Sequence, residues 1–395
     1  MLAMKRREFL KKSALVTGSL YVPQFLHGTK LSVGLPARLV IIQLSGGNDG
    51  LNTIVPYRND RYHQLRPTIA LPDKDIISLD DELGFNAKLP GMANLVQRGE
   101  LLVINGVGYP NPNRSHFRSM DIWHTASDAD QYLNSGWLGR YLDANCQSIS
   151  DAIEADDSLS LILKGQEKSG LAINNPAEFY RTSNSPFYKE LTRISPQEEQ
   201  NQQLNFLYKR LIETQQSAAY VFEKYKIGQV KTTFPDTQIG KRLKDIARFI
   251  NSGLDSRLYF VNHGGFDTHA NQVPVQNRLL GQFDEATAAF INELKTTDAF
   301  NNTLLMVFSE FGRRAGQNAS NGTDHGTANP VFLIGRNLKN SGIYNPYPSL
   351  SKLDNNGDLI YSTDFRSIYA TILENWLQVK PETILPGKFT RLKVI

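Results

Sequence analysis

Acidic, basic and histidine side chains in this sequence gather in short polar segments that follow predicted strands. The first segment, "SGGNDG", carries Asp49 directly after the apolar run Leu39–Leu44. Carboxylates neutralise a divalent cation and imidazoles bind it, so these residue types brought together would form a metal-dependent hydrolytic site. Four more segments carry such residues: Arg114, Ser115 and His116 in "RSHF"; His263, Asp267 and His269 in "NHGGFDTH"; Glu310, Arg313 and Arg314 in "SEFGRR"; Asp324 and His325 in "GTDHG".

The histidines are concentrated in the same segments. The chain has seven histidines, of which His27 lies near the N-terminus and four fall in the segments named above. We interpret the other two, His63 and His124, as structural or surface residues. The distribution therefore favours a shared role for His116, His263, His269 and His325 over scattered packing.

Each candidate also has a simpler explanation. Asp49 could be a turn residue whose carboxylate binds its own backbone. Ser115 could cap a helix, although a hydroxyl at a helix N-terminus also lies where backbone amides stabilise an anion. Asp267 and His269 are two residues apart and can face the same side of an extended loop, which favours ligation. Asp324 and His325 lie in a loop too polar to be explained by core packing.

The elements that would position these residues are predicted from hydrophobic patterns. Several apolar runs are continuous, as in strands buried on both faces of a parallel sheet. Gln276–Leu294 and Asp364–Leu377 have the spacing of amphipathic helices. Alternating strands and helices predict a three-layer α/β/α domain with a largely parallel central sheet, in which ligands bind beyond the carboxyl ends of the strands. The predicted strands are Leu39–Leu44, Leu101–Asn105, Leu159–Leu163, Leu258–Val261, Leu304–Phe308 and Val331–Ile334.

The middle of the chain predicts a helical insertion at about residues 165–255. Ser195, Pro196 and Glu198 have the spacing of a capped helix start, and apolar residues then recur every three or four positions up to Gly228. This predicts one long helix, paired with a second over Gly240–Asn251. We interpret the insertion as packing against the sheet.

The N-terminal segment, residues 1–28, has the features of a twin-arginine export signal. Arg6 and Arg7 precede Phe9 and Leu10 and a mildly apolar run. The run is interrupted by Gly18 and Pro23 and is too short for a membrane span. The sequence therefore predicts export by the twin-arginine machinery to the periplasm or the cell exterior, with no transmembrane segment in residues 29–395, which we treat as a single domain.

Composition excludes several classes of function. The formal charge of +4 resides in residues 1–28, which hold five basic side chains and one acidic, so the remainder is neutral and shows no nucleic-acid footprint. The single cysteine, Cys146, excludes an intrachain disulfide and cysteine-based zinc sites. The sequence contains no G-x-S-x-G elbow, no P-loop and no H-E-x-x-H motif.

Several motifs together resemble the domain-of-unknown-function 1501 family. These are "RREFLKKS", "LVIIQLSGGNDGLNTIVPY", "RSHFRSMDIWHT", "SGWLGRYLD", "HGGFDTHANQ", "VFSEFGRR", "GTDHGTANPVFLIG" and "TDFRSIYATILENWL". The family comprises twin-arginine-exported bacterial proteins of the alkaline phosphatase and sulfatase-like superfamily. The resemblance implies an alkaline phosphatase-like fold and metal-dependent hydrolysis of phosphate or sulfate esters through a Ser or Thr nucleophile.

The same resemblance implies roles for individual residues. Ser115 resembles the nucleophile, and a divalent ion (zinc, calcium or magnesium) is implied as cofactor. To these we add Arg114 as a clamp for the anionic substrate and His116 as an acid for the leaving group. The residues that resemble metal ligands are Asp49, Asp267, His269, Glu310 and His325.

Two departures leave alternatives open. Phe311 stands where a phosphatase has a histidine, which predicts one metal site instead of two, and no sulfatase signature is present. We expect an exported metal-dependent hydrolase that acts on an anionic ester of an envelope lipid or glycan. The alternative is a non-catalytic envelope-assembly or polysaccharide-binding protein on a degenerate scaffold of the same type.

Overall fold

The core of the protein is a sheet built around a strand whose seven residues, Arg38–Leu44, are all buried. The computed structural model describes residues 36–146, 148–193 and 202–395, and residues 37–395 form one compact unit. The strands are β1 (Arg38–Leu44), β2 (Ile54–Val55), β3 (Ile76–Ser78), β4 (Gly84–Asn86), β5 (Leu101–Gly108), β6 (Ala152–Glu154), β7 (Leu171–Ala172), β8 (Leu258–His263), β9 (Thr303–Phe308), β10 (Asn329–Ile334), β11 (Gly342–Ile343) and β12 (Thr363–Asp364).

The sheet is mixed but mostly parallel. Its order is β11-β5-β10-β9-β1-β8-β6-β7, with β12 also paired to β5. Only β10 runs antiparallel to its neighbours, and every other pair in this sheet is parallel. A small antiparallel sheet, β2-β4-β3, lies apart from it. The predicted largely parallel sheet is thus confirmed.

Helices cover both faces of the sheet. Val40 and Ile42 of β1 pack into one core with α2, α8 and α9, and Leu39 and Ile41 pack into a second core with α3, α4 and α10. Because successive strand side chains point to opposite faces, a strand buried in both cores must be apolar throughout. The three-layer α/β/α architecture is confirmed. The helices are α1 (Asp60–Leu65), α2 (Pro90–Gln97), α3 (His116–Thr125), α4 (Trp137–Asn145), α5 (Pro176–Ser183), α6 (Pro186–Arg193), α7 (Gln202–Ile227), α8 (Gln238–Asn251), α9 (Gln272–Thr296) and α10 (Phe365–Thr371).

One predicted strand is wrong. Leu159–Leu163 does not form a strand: Leu161–Leu163 is a turn of 3₁₀ helix, and β6 lies earlier, at Ala152–Glu154. The reason is a local polar anchor. The buried carboxylate of Glu154 accepts hydrogen bonds from the backbone N and the hydroxyl of Ser160, each at 2.6 Å. This turns the chain, so the apolar residues that follow pack as a helical turn.

Most of the described middle of the chain is helical, apart from β7 and residues 228–237. The long predicted helix corresponds to α7, which ends before Gly228, and α8 corresponds to the predicted Gly240–Asn251. The predicted cap residues Ser195, Pro196 and Glu198 lie outside the described residues, as does the predicted export signal. Among the residues that are described, no helix is long and apolar enough to cross a membrane.

A buried histidine on α3 predicts a loss of stability in acid. The Nε2 of His124 lies 2.9 Å from Gln43 Oε1, and burial lowers the pKa of His124 from 6.5 to about 4. Between these values the unfolded chain binds a proton that the folded chain does not, so stability falls as pH falls. We expect His124 to cost on the order of 3 kcal/mol across this window. Urea unfolding at pH 7 and pH 4 should show the loss in the wild type and a flatter dependence in His124→Gln, with the exposed His63→Gln as control. An equal loss of unfolding free energy between pH 7 and pH 4 in all three proteins would contradict the assignment.

Candidate metal centre

The polar segments predicted from the sequence meet at one edge of the sheet. β1, β5, β8 and β9 are parallel, so their carboxyl ends lie at the same edge, and the antiparallel β10 begins there. The chain leaving these strands therefore places all five segments around one place, as expected for an open α/β sheet.

Three imidazoles converge on the carboxylate of Asp267. The Nε2 atoms of His116, His269 and His325 lie 3.4, 3.0 and 3.1 Å from Asp267 Oδ1. The Nε2 atoms of His269 and His325 are 2.9 Å apart. We call these four residues the His₃Asp cluster.

The other ring nitrogen of each imidazole is held by an acceptor. Because a carbonyl oxygen cannot donate and an ionised carboxylate only accepts, Nδ1 is the donor in each of these contacts, and a neutral ring then carries its lone pair on Nε2. The same arrangement orients histidine ligands in metal centres. Nδ1 of His116 lies 2.9 Å from Glu310 Oε1, Nδ1 of His269 lies 3.2 Å from Asp324 Oδ1, and Nδ1 of His325 lies 2.7 Å from the carbonyl oxygen of Arg114.

The cluster fits a zinc ion. His116 Nε2 is buried and has no hydrogen-bond partner in the described part of the chain, so it can bind a cation that lies between it and the Asp267 carboxylate. Zn–N distances of about 2.0–2.1 Å place neighbouring donors of a tetrahedron roughly 3.3–3.4 Å apart. The three Nε2 atoms lie 3.0–3.4 Å from Asp267 Oδ1, and the donor atoms of His116, Asp267 and His325 all lie within 4.8 Å of one another. A donor set of three nitrogens and one oxygen suits zinc better than calcium or magnesium, which prefer oxygen.

Electrostatics keep the cluster ready to bind a cation. Burial opposes ionisation of Asp267, but the hydrogen bond and the positive charge of the Arg313 guanidinium outweigh it and hold the pKa of this carboxyl well below its usual range. The hydrogen bond to Glu310 raises the pKa of His116 against the effect of burial. Glu310 therefore acts from behind His116: its Oε1 also accepts from the backbone N of Gly46 at 2.8 Å.

A buried arginine ties the surrounding loops together. The guanidinium of Arg313 is fully buried and binds the Asp267 carboxylate at 2.8 Å. It also donates to four backbone carbonyl oxygens from three separate segments. These belong to Gly46, Gly47 at 2.6 Å, Phe266 at 2.9 Å and Thr323 at 2.9 Å. Arg313 lies in the predicted segment "SEFGRR", but the sequence does not indicate this role.

The structure does not bring Asp49 into the cluster. Its buried carboxylate pairs with Arg66, at 2.5 Å from Nη1 to Oδ2 and 3.0 Å from Nη2 to Oδ1. It also accepts from Gln272 Nε2 and from the backbone N of Leu51. Asp49 thus serves as the cap of a 3₁₀ turn, Gly50–Asn52, joined to a buried ion pair. The sequence indicates neither partner: Arg66 lies outside the quoted motifs, and Gln272 ends the motif "HGGFDTHANQ" as an amide with no expected role.

The segment before α3 holds two further candidates. Ser115 is the N-cap residue of α3, exposed, and its hydroxyl makes no capping hydrogen bond. Arg114 is engaged by acids: its Nε lies 2.7 Å from Asp358 Oδ2, its Nη2 also contacts Asp358, and Asp354 lies 3.3 Å away. Two carboxylates therefore already neutralise the guanidinium predicted to clamp the substrate.

Two other residues of the predicted segments provide no ligand to the cluster. The ring of Phe311 packs against His116 and His325, with centroids 4.8 and 4.7 Å apart. It fills the place beside the imidazoles with an apolar group. His263 lies away from the cluster, buried, with its Nε2 3.0 Å from the carbonyl oxygen of Leu279.

Comparison with protein families gives one match. The model of a family described as "Protein of unknown function (DUF1501)" matches residues 87–377, more than half of the chain. A search of curated proteins finds no match.

Several solved structures are similar at low identity. The C-terminal periplasmic domain of EcEptC from Escherichia coli, in complex with Zn, has 12% identity and a TM-score of 0.38 over 78% of this chain and 75% of that one. The lipoteichoic acid synthase LtaP from Listeria monocytogenes has 8% identity and a TM-score of 0.41 over 88% and 74%. The PsFucS1 sulfatase from Pseudoalteromonas sp. has 12% identity and a TM-score of 0.36 over 88% and 70%.

Proposed function

Because the chain belongs to the DUF1501 family, whose description states no activity, we propose a function from the side chains of the site. The protein is a zinc-dependent hydrolase of phosphate or sulfate esters. The observation that supports this most strongly is the His₃Asp cluster, in which each imidazole is held at Nδ1 and directs Nε2 toward Asp267. We assign the ligand role to His116, His269, His325 and Asp267, and the positioning of His116 to Glu310.

The cluster is open enough to receive a substrate. The side chains of Asp267 and His269 are 49% and 45% exposed, whereas purely structural metal sites are closed. When bound, the metal ion supplies positive charge that stabilises charge developing on the ester oxygens. Phe311 occupies the space beside two of the ligands, which supports one metal site.

Ser115 is the candidate nucleophile. Its hydroxyl is exposed at the start of α3, next to His116, where helix amides stabilise an anion. In this reaction its Oγ bonds to the phosphorus or sulfur of the ester, the bond to the alcohol breaks, and the hydroxyl proton leaves with the alcohol. Water then hydrolyses the ester formed on Ser115. The alternative nucleophile is a water molecule that Ser115 orients.

The proposed location and substrate source follow from the N-terminus. Arg6 and Arg7 support export by the twin-arginine machinery to the periplasm or the cell exterior. The substrate in that compartment would be an anionic ester of an envelope glycan or lipid.

Metal content and turnover test this function together. Protein purified without chelator should contain about one zinc per chain and hydrolyse an aryl phosphate or aryl sulfate, and chelation should remove the activity. A metal-free protein with no turnover, unaffected by added zinc, would favour the non-catalytic binding protein instead.

Replacement of Ser115 by alanine tests whether Ser115 takes part in the attack. We expect Ser115→Ala to lower kcat at least 100-fold, about 3 kcal/mol of barrier, with unchanged zinc content and melting temperature. Unchanged turnover in this variant would assign the attack to water without any help from Ser115.

A further inference from the structure

Four arginines lie around the site, and three of them are already bound. Arg66 pairs with Asp49, Arg313 binds loop carbonyls and Asp267, and Arg114 is held by two aspartates. Arg66 and Arg313 use all three guanidinium nitrogens in hydrogen bonds, and Arg114 uses Nε and Nη2.

The fourth, Arg314, is uncommitted. Its side chain is 43% exposed, and its one ion pair is long, with Nε 3.9 Å from Asp358 Oδ1. Neither of these two buried atoms has a hydrogen-bond partner among the described residues. The guanidinium of Arg314 donates no hydrogen bond within the described parts of the chain.

The backbone fixes Arg314 beside the cluster. Its N donates to the carbonyl oxygen of Asp324 at 3.0 Å, and the preceding residue, Arg313, is bridged to His325. Its carbonyl oxygen accepts from the Nη2 of Arg66 at 2.9 Å. A second connection passes through Asp358, which binds the side chain of Arg114. The carbonyl oxygen of Arg114 in turn contacts Nδ1 of His325. The backbone of Arg314 is thus held in place, whereas its guanidinium makes no hydrogen bond within the described residues.

We propose that Arg314, and not Arg114, binds the anionic group of the substrate. A planar guanidinium with free N–H groups matches two oxygens of a phosphate or sulfate group in bidentate fashion. Asp358 holds the guanidinium near the site by charge without occupying its donors. Arg314 is a binding residue in this scheme, and the assignment rests on the proposed hydrolase function.

Binding of inorganic phosphate tests the assignment without turnover. Calorimetric titration of zinc-loaded and metal-free protein should show phosphate affinity 10- to 100-fold weaker in Arg314→Gln, the range expected from losing hydrogen bonds to a charged group. Arg314→Lys should recover part of the loss, since it keeps the charge but not the fork. Arg98→Gln is the matched control, because Arg98 is exposed and precedes the amino end of β5, at the opposite edge of the sheet.

The outcomes distinguish this inference from the proposed function. Equal phosphate affinity in wild type and Arg314→Gln overturns the role of Arg314, as does an equal loss in Arg98→Gln. If Arg314→Gln weakens phosphate binding but the wild type hydrolyses no ester, the anion site stands and the hydrolase proposal fails. A raised KM with little change in kcat for Arg314→Gln supports the inference, and circular dichroism shows whether both variants are folded.

Discussion

Replacing Asp267 by asparagine is expected to remove most of the zinc affinity and nearly all of the ester hydrolysis. Asp267 is the only anion among the four proposed ligands, and its Oδ1 is the atom on which the three Nε2 atoms converge. We expect zinc affinity to fall more than about 100-fold, beyond the loss usual for residues behind the ligands. Turnover should fall roughly 1,000-fold, since several kcal/mol of transition-state stabilisation depend on the metal. Competition with a chromophoric chelator measures the first and aryl ester hydrolysis the second.

The control for this variant is Asp73→Asn, an acid-to-amide change at an exposed position. It should alter neither quantity. The fold of Asp267→Asn should persist, because Arg313 keeps its four carbonyl acceptors. Full zinc binding in Asp267→Asn would remove the cluster from consideration as a metal centre.

The second large effect concerns stability. We expect Arg66→Met to lower the free energy of unfolding by about 3–5 kcal/mol, because it leaves the buried carboxylate of Asp49 without its countercharge. Arg66 also donates to Asn52 and to the carbonyl oxygens of Arg314 and Ala315, each at 2.9 Å. Urea unfolding measures the loss, and the exposed Arg61→Met on α1 should stay within about 0.5 kcal/mol of wild type.

The same pair decides the role of Asp49. If Asp49 is structural, the double variant Asp49→Asn, Arg66→Met regains part of the stability that Arg66→Met loses, and zinc content stays at the wild-type level. If Asp49 ligates the metal, zinc is lost in Asp49→Asn even where the fold is intact.

Much of the fold could be predicted because its strands are buried on both faces. Continuous apolar runs such as Leu39–Leu44 and Leu304–Phe308 have no other simple explanation, and both are strands. The direction of β10 was not accessible, since periodicity does not reveal whether a strand is parallel. The strand prediction at Leu159–Leu163 is wrong because a single carboxylate, that of Glu154, fixes the local turn. The apolar pattern of the segment does not reveal this hydrogen bonding.

The site could be predicted as a set of segments but not as a set of contacts. His116, Asp267, His269, Glu310 and His325 were all proposed from the sequence, and the structure brings them together. The division between the proposed ligands and the residues that hydrogen-bond to them depends on which ring nitrogen of each histidine faces the cluster. That is a property of side-chain orientation, which one sequence does not contain. The same holds for Asp49, whose partner Arg66 is 17 positions away with no shared motif.

The hydrogen bonds of Arg313 determine which substitutions the loops around the cluster can accept. Four of its five acceptors are main-chain oxygens, and every amino acid supplies such an oxygen. The contacts with Phe266 and Thr323 therefore do not depend on the side chains at those positions, as long as the backbone path is kept. Gly46 and Gly47 cannot change, because φ is positive at both and an added Cβ would lie 2.5 Å from Asp267 N and 2.3 Å from the Phe311 ring. Lysine cannot replace Arg313, because a single ammonium group does not reach all the acceptors that the planar guanidinium contacts. Sensitivity to mutation is thus concentrated at Arg313, Gly46 and Gly47, outside the proposed ligands themselves.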